Sequence, residues 1–143
     1  MQLTQYTDYS LRVLIYLGVH PDELATITEI SERYQISRNH LVKVVHELGK
    51  LGYIETIRGK GGGMRLAVPP EELTIGEIVR NMENNLNIVE CFGNESSCAI
   101  TPNCRLRGIL RDALKSFISV LDQYTLKDIL VNQKKLQGLL GTA

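Results

Sequence analysis

Three cysteines, Cys91, Cys98 and Cys104, are the only ones in this 143-residue chain, and all fall within the fourteen residues CFGNESSCAITPNC. An odd number of thiols cannot close wholly into intramolecular disulfides, and a reducing cytosol would keep them as thiols in any case. Metal binding and redox chemistry are the uses such a cluster allows. The spacing C-x6-C-x5-C is wider than the pairs two to four residues apart that hold structural zinc. It also differs from the tight C-x2-C-x2-C run of bacterial ferredoxins. Loops of five and six residues, with Gly93, Asn94 and Pro102 as turn formers, suit three thiolates wrapped around something larger than one ion. Three thiolates leave a coordination position unfilled, and His20, His40 and His46 all lie in the first third of the chain. The cysteines alone therefore leave an iron–sulfur cluster, a zinc ion, a redox thiol and buried inert thiols as open readings.

The elements that must position these thiols begin with a helical head. A first helix is expected over residues 7–19, with Leu11, Leu14 and Ile15 on one face, ended by His20-Pro21-Asp22. Thr26-Ile27-Thr28-Glu29 is a capping box, in which hydroxyl and carboxylate satisfy each other's backbone N–H groups, and it opens a second helix to residue 34. Ser37 is the expected N-cap of a third helix. Its Leu41, Val44, Val45, Leu48 and Leu51 recur at the intervals of one buried stripe. The opposite face offers Arg38, Asn39, Lys43, His46 and Lys50. Two helices joined by a short turn, the second with hydrogen-bonding residues in its first turn, is the helix-turn-helix pattern.

Two β-prone segments, residues 53–57 and 64–68, flank the basic glycine-rich tip Arg58-Gly59-Lys60-Gly61-Gly62-Gly63 and predict a hairpin, the wing of a winged helix. A nucleotide phosphate loop is excluded, because GxxxxGK[ST] is absent and no helix start follows the glycines. The formal net charge of zero hides an asymmetry: residues 33–65 hold seven Lys/Arg against Glu47 and Glu55, a local +5 that the rest of the chain offsets. A phosphate backbone feels charge over a Debye length of ~8 Å, so the local excess governs. Ser37, Arg38, Asn39, His40 and Lys43 on the third helix, with Arg58 and Lys60 on the wing, are the expected contacts to double-stranded DNA. Asn39 suits adenine and Arg38 guanine or phosphate.

Behind the head, Thr74-Ile75-Gly76-Glu77 reads as a second capping box, for a helix over residues 75–84. Thr101-Pro102 reads as an N-cap with proline at the first helical position, which would put Cys104 in the first turn of a long helix. The positive end of the helix dipole there favours thiolate. Leu106, Leu110, Ala113, Phe117, Val120 and Tyr124 then follow at alternating steps of four and three, the spacing of a coiled-coil seam. Such a seam predicts packing on a second copy of the chain. A terminal helix is expected from residue 125 to residue 140. The N-terminus shows no basic region followed by an apolar one, and no apolar run approaches the ~20 residues that span a bilayer. The expectation is a soluble, cytoplasmic protein without a membrane partner. No base–nucleophile pair accompanies the thiols, so an enzyme is not expected.

Taken together, MQLTQYTDYSLRVLIYL, SRNHLVKVVHELGKLGYIETIRGKGGGMRL, the three cysteines with ITPNCRL, and LDQYTLKDIL resemble the family of winged-helix iron–sulfur transcriptional regulators over nearly the whole chain. Within it they are most similar to the nitric-oxide-sensing repressors. The resemblance implies a homodimer that binds a palindromic operator and represses genes of nitric oxide detoxification and nitrosative stress. It implies one iron–sulfur cluster per subunit on Cys91, Cys98 and Cys104, of the 4Fe-4S type, with 2Fe-2S as the alternative. It further implies that Asp8 of the partner subunit is the fourth ligand, and Arg12, one helical turn later, is placed to orient that carboxylate. Another branch uses a histidine near the third cysteine, and none stands there in this chain. A sensor of cluster supply or redox state, or a zinc-stabilised regulator, is the alternative within the same architecture. The architecture expected is mainly α with a small β wing. A winged helix-turn-helix head spans 1–80, with the helix-turn-helix at 26–51 and the wing at 53–68. A cluster-binding loop spans 81–104, and a dimerisation helix with a terminal helix spans 105–143.

Overall fold

The computed structural model describes residues 1–141, so Thr142 and Ala143 of the expected 105–143 segment lie outside the described residues. Helix α1, Gln5–Val19, starts where the Thr4 hydroxyl accepts from the Thr7 N–H. It runs through the centre of the head, burying Val13, Leu14, Tyr16, Leu17 and Val19. Helix α2, Ile27–Tyr34, carries both halves of the capping box between Thr26 and Glu29. It ends at Gln35 in the left-handed region at φ 55°, an uncommon place for a side chain with a Cβ. Two hydrogen bonds brace that turn: the Ile36 N–H donates to the Ser31 carbonyl, and the Ser31 hydroxyl donates to the Ile36 carbonyl at 2.6 Å. Helix α3, Arg38–Lys50, buries Leu41, Val44, Val45 and Leu48 as its periodicity predicts. Ser37 holds the N-cap position, but its hydroxyl makes no capping bond.

Strands β1, Ile54–Ile57, and β2, Gly63–Leu66, pair antiparallel from Ile54↔Leu66 to Ile57↔Gly63. Gly59 and Gly61 take positive φ at the tip, 101° and 76°, where a side chain would be strained. A backbone pair between Ala25 and Met64 extends the ladder to the segment before α2, so the wing is anchored to the helix-turn-helix on its inner edge.

Helix α4, Ile75–Met82, departs from the expected capping box. Thr74 accepts from the Glu77 N–H, but the Glu77 carboxylate accepts from the Tyr53 hydroxyl at 2.9 Å, which Asn81 also contacts. The backbone ahead of α4 is instead engaged by the far end of the chain, through Ile75 N–H to the Tyr124 carbonyl and the bridge Thr74↔Thr125. Helix α5, Arg105–Asp122, also begins later than Thr101-Pro102 suggests. Thr101–Asn103 forms a separate 3-10 turn, and Cys104, in extended conformation, is the N-cap rather than a first-turn residue. The single terminal helix expected after residue 124 is broken into α6, Leu126–Ile129, a 3-10 turn Leu130–Asn132, and α7, Gln133–Leu140. The break lets this segment bend around α1: Gln133 and Gln137 both donate to the Val19 carbonyl, and Leu130 packs against Gly18.

Candidate nucleic-acid interface and metal centre

The exposed face of α3 follows from its buried one. With Leu41, Val44, Val45 and Leu48 seated in the core, Arg38, Asn39, His40, Lys43 and His46 all project outward and are exposed. Arg58 and Lys60 are exposed at the wing tip. The cations of α3 and the wing then divide into two sets. Lys50 pairs with Glu47 at 3.0 Å, and Arg65 pairs with Glu55 across the wing strands. Among the described residues Arg38, Lys43, Arg58 and Lys60 enter no ion pair. These four keep their full charge for an anionic partner. Helix and wing tip belong to one rigid head, because α3 leads straight into β1 and Tyr53 at the junction is buried and tied to α4.

Helix α1 crosses behind α3, and two of its aromatics reach the recognition helix. The Tyr6 hydroxyl donates to the Lys43 carbonyl at 3.2 Å, and the Tyr9 ring lies 6.0 Å from that of His40. A small cavity of about 190 Å³ lies between them, lined by Gln5, Tyr6, Tyr9, His40, Lys43 and Val44. Sequence reasoning missed these contacts. The signal was the i, i+3 spacing of Tyr6 and Tyr9 on the flank of an apolar stripe.

Asp8 sits in the first turn of the same helix. Arg12 grips both of its carboxylate oxygens, Nη2 to Oδ2 at 2.7 Å and Nε to Oδ1 at 3.2 Å. The guanidinium also lies over the rings of Tyr9 and Tyr34, at 5.7 and 5.9 Å from their centroids. The pair is about half exposed, so its free-energy contribution is that of a surface pair, ~0.2–1 kcal/mol. Its geometry is bidentate, which fixes where the carboxylate points.

The thiols occupy the irregular segment between α4 and α5. All three are free: Cys91 is half-buried in a 3-10 turn, Glu90–Phe92, Cys98 is exposed, and Cys104 is half-buried at the start of α5. The segment is ordered by its own polar contacts. Glu90 accepts from both the backbone N–H and the hydroxyl of Ser97 at 2.9 Å, which holds its carboxyl below the usual carboxylate range. Arg107, from the first turn of α5, donates to the Cys91 carbonyl at 3.1 Å, and Arg111 lies over the Phe92 ring. Among the described residues, no group of three or more His, Cys, Asp or Glu side chains is gathered closely enough to hold a metal ion within one chain. The donor chemistry nevertheless fits an iron–sulfur cluster. Three uncrosslinked thiols share one irregular segment, one of them at the positive end of an 18-residue helix.

Helix α5 has no buried residue. Its inner edge, Ile118 and Leu121, rests on the core, and Arg80 of α4 pairs with Asp122 at 2.8 Å. Leu110 of the seam and the neighbouring Leu114 are half-buried, whereas Leu106, Phe117 and Val120, with Tyr124 just beyond the helix, are exposed, as is Ile109 beside them. No described helix is long and apolar enough to cross a membrane.

A recognition helix, a glycine-tipped wing and a trailing helix that starts at a thiol loop define a winged helix-turn-helix transcriptional regulator. The chain belongs to the Rrf2 family, whose model, described as an iron-dependent transcriptional regulator, matches residues 3–132. It is similar to the HTH-type transcriptional regulator NsrR of Halalkalibacterium halodurans, 55% identical over 142 residues that cover 98% of this chain and 97% of that protein. It is 54% identical to the regulator of the same name from Bacillus subtilis, over 98% of this chain and 97% of that one. Among solved structures, IscR of T. potens superposes with a TM-score of 0.74 at 25% identity, covering 96% of this chain and 91% of that one. The oxidized form of CymR from Staphylococcus aureus superposes with a TM-score of 0.73 at 27% identity, covering 92% and 97%. The protein is a transcriptional regulator and not an enzyme.

Proposed function

We propose that the protein is a homodimeric repressor that senses nitric oxide through an iron–sulfur cluster and controls genes of nitrosative stress and nitric oxide detoxification. The observation that carries this reading is the placement of three free thiols on the one segment that joins the head to the bare helix α5. The likeness to regulators named NsrR over almost the whole chain supports it. Cys91, Cys98 and Cys104 would hold the cluster, 4Fe-4S by preference and 2Fe-2S as the alternative, with Asp8 of the partner subunit completing the ligand set. When bound, the cluster supplies an iron site at which nitric oxide binds.

The chain's own residues supply the rest. In this reading the seam of α5 joins two subunits and brings the loop of one to α1 of the other. Arg12 holds the Asp8 carboxylate in a fixed direction. Tyr6 and Tyr9 connect the same turn of α1 to Lys43 and His40 of the recognition helix. Operator affinity requires both heads to meet half-sites about one helical turn apart, so a small movement of α1 lowers it. A coupling of about 1–3 kcal/mol changes affinity about 5–150-fold, enough to switch a promoter. Ser37, Arg38, Asn39, His40 and Lys43 enter the major groove, and Arg58 and Lys60 meet the backbone or minor groove.

Anaerobically purified protein tests the reading by its absorption: zinc is colourless, and the two cluster types differ spectrally. Cys91→Ala, Cys98→Ala and Cys104→Ala should each abolish the chromophore and leave a folded dimer, because the core uses none of them. Titration with nitric oxide should release an operator duplex in step with the spectral change. Ligation by Asp8 is decided by two heterodimers. One pairs an Asp8→Ala subunit with a Cys98→Ala subunit, so the single cluster still meets Asp8 across the interface. The other places both changes in one subunit beside an unaltered one, so the single cluster lacks it. Equal stability of the cluster in the two would exclude Asp8 as a cross-subunit ligand.

A further inference from the structure

The face that α3 presents to solvent is not wholly polar. Val42 lies on it, 50% exposed, and belongs neither to the core nor to the apolar residues packed against the core. Its helical neighbours at one turn are Arg38, Asn39, Val45 and His46, and Lys43 follows it directly; Val45 turns into the core and the other four are exposed. The other apolar side chains within α3 all contribute to the buried stripe. Val42 is therefore an apolar knob set among hydrogen-bond donors, on a helix held rigid from behind.

Resting on the DNA-binding reading above, we infer that Val42 is a specificity-determining residue that reads the 5-methyl group of a thymine in each half-site. The major-groove edge of a thymine combines that methyl with an O4 acceptor, and the adenines around it offer N7 and N6. An apolar knob one turn from an amide and an arginine matches that mixture of apolar and polar edges. A cytosine in the same place offers an N4 donor and no methyl, and a bare valine gives it nothing. Valine also suits the task mechanically, because in a helix it keeps one χ1 rotamer in about nine cases of ten and has little freedom to lose on docking. The Asn39 amide beside it can pair bidentately with adenine, so the two residues together favour an A·T-rich half-site.

The test uses the full-length, cluster-loaded dimer and a duplex enriched from a random pool by that protein. Each thymine of the palindrome is replaced in turn by deoxyuridine, which deletes the methyl and leaves base pairing intact. Burial of one methyl group corresponds to about fourfold in affinity, and to about 15-fold when both symmetric half-sites are altered. One position per half-site should show that loss with the wild-type protein. Val42→Ala should bind the thymine duplex about as weakly as wild type binds the uracil duplex, and should no longer distinguish the two. Val42→Thr, which keeps one methyl at the same branch point, should restore part of the discrimination. Because Val42 is outside the core, all variants should unfold at the wild-type temperature. The inference is overturned if no uracil position matters, or if the uracil penalty persists undiminished in Val42→Ala. Failure to enrich any duplex would instead defeat the DNA-binding reading, and the role of Val42 with it.

Discussion

Phe117→Ala should convert the protein from a dimer to a largely monomeric species at micromolar concentration. Phe117 is 39% exposed in the single chain, in the second half of α5 and between the exposed Leu106 and Tyr124. With about 200 Å² for a phenylalanine side chain, about 80 Å² awaits burial. At ~25 cal/mol per Å² that is about 2 kcal/mol per subunit, and a two-fold interface counts it twice, about 4 kcal/mol. Alanine retains a methyl and the interface partly collapses, so the expected weakening of the dimer is about two to three orders of magnitude. Sedimentation of the cluster-free protein across a dilution series measures the dissociation constant directly. The same side chain also lines a groove of about 510 Å³ with Leu3, Leu86 and Leu114, so a thermal melt of the monomer must show that the head is intact. Lys115→Ala, an exposed polar position on the same helix, serves as the control. A dissociation constant within threefold of wild type for Phe117→Ala, with the control unchanged, would refute the assignment of the seam.

Three further outcomes are expected. Asn39→Ala should lose about 1–3 kcal/mol of discrimination at one base position, whereas Lys60→Ala should weaken all sequences alike and flatten the salt dependence, as read by binding isotherms across a salt series. Burial pushes the Tyr34 hydroxyl up to about 12 against the pull of Arg12, and burial likewise raises Tyr6, Tyr16 and Tyr53. The folded state thus favours the neutral phenol: its stabilisation is complete below the unfolded pKa near 10 and lost as pH rises through about 12. Melting temperature should fall across that window, and less steeply in Tyr34→Phe. Gly76→Ala places a Cβ against the side chain and backbone of Asp122, so it should disrupt the Arg80–Asp122 pair and cost about 1–3 kcal/mol in denaturant titration.

Periodicity and caps made the head readable, because the residues that decide α1, α2, α3 and the wing are neighbours in sequence. The stripe Leu41, Val44, Val45 and Leu48 predicts its own burial, and with it the exposure of Arg38, Asn39 and Lys43 on the other side. Two of the misreadings come from competition by a distant partner, and the third from a local turn. Glu77 has the right spacing to close a capping box on Thr74, but the Tyr53 hydroxyl, twenty-four positions away, takes the carboxylate. The run from residue 125 onward has no local reason to stop being helical at Leu130, yet bending there lets α7 reach the Val19 carbonyl through Gln133 and Gln137. Cys104 shows the local case at the site. Proline at the second position of a Thr-Pro pair is a sound start signal, but the turn it opens closes on Cys98 and Ile100 before the long helix begins.

That displacement changes what Cys104 can do. As the N-cap of α5 it stands at the junction between the thiol loop and the helix that would carry the subunit contact in the proposed dimer. Arg107, three residues on, reaches back to the Cys91 carbonyl, so the first cysteine is tied to the first turn of α5. At its other end α5 is tied to α4 through Asp122 and Arg80, and α4 is tied through Glu77 to the base of the wing. A ligand that draws the three thiols together therefore pulls on a lever whose far end is the DNA-binding head. In the proposed reading, signal and response would be linked twice, once through Asp8 and α1 across the dimer and once along α5 within a subunit. Arg107→Ala separates the two routes: it cuts the second and leaves Asp8 with Arg12 in place. If the internal route matters, the variant should keep its chromophore and lose part of the difference in operator affinity between loaded and cluster-free protein. An unchanged difference would assign the coupling to the cross-subunit route alone.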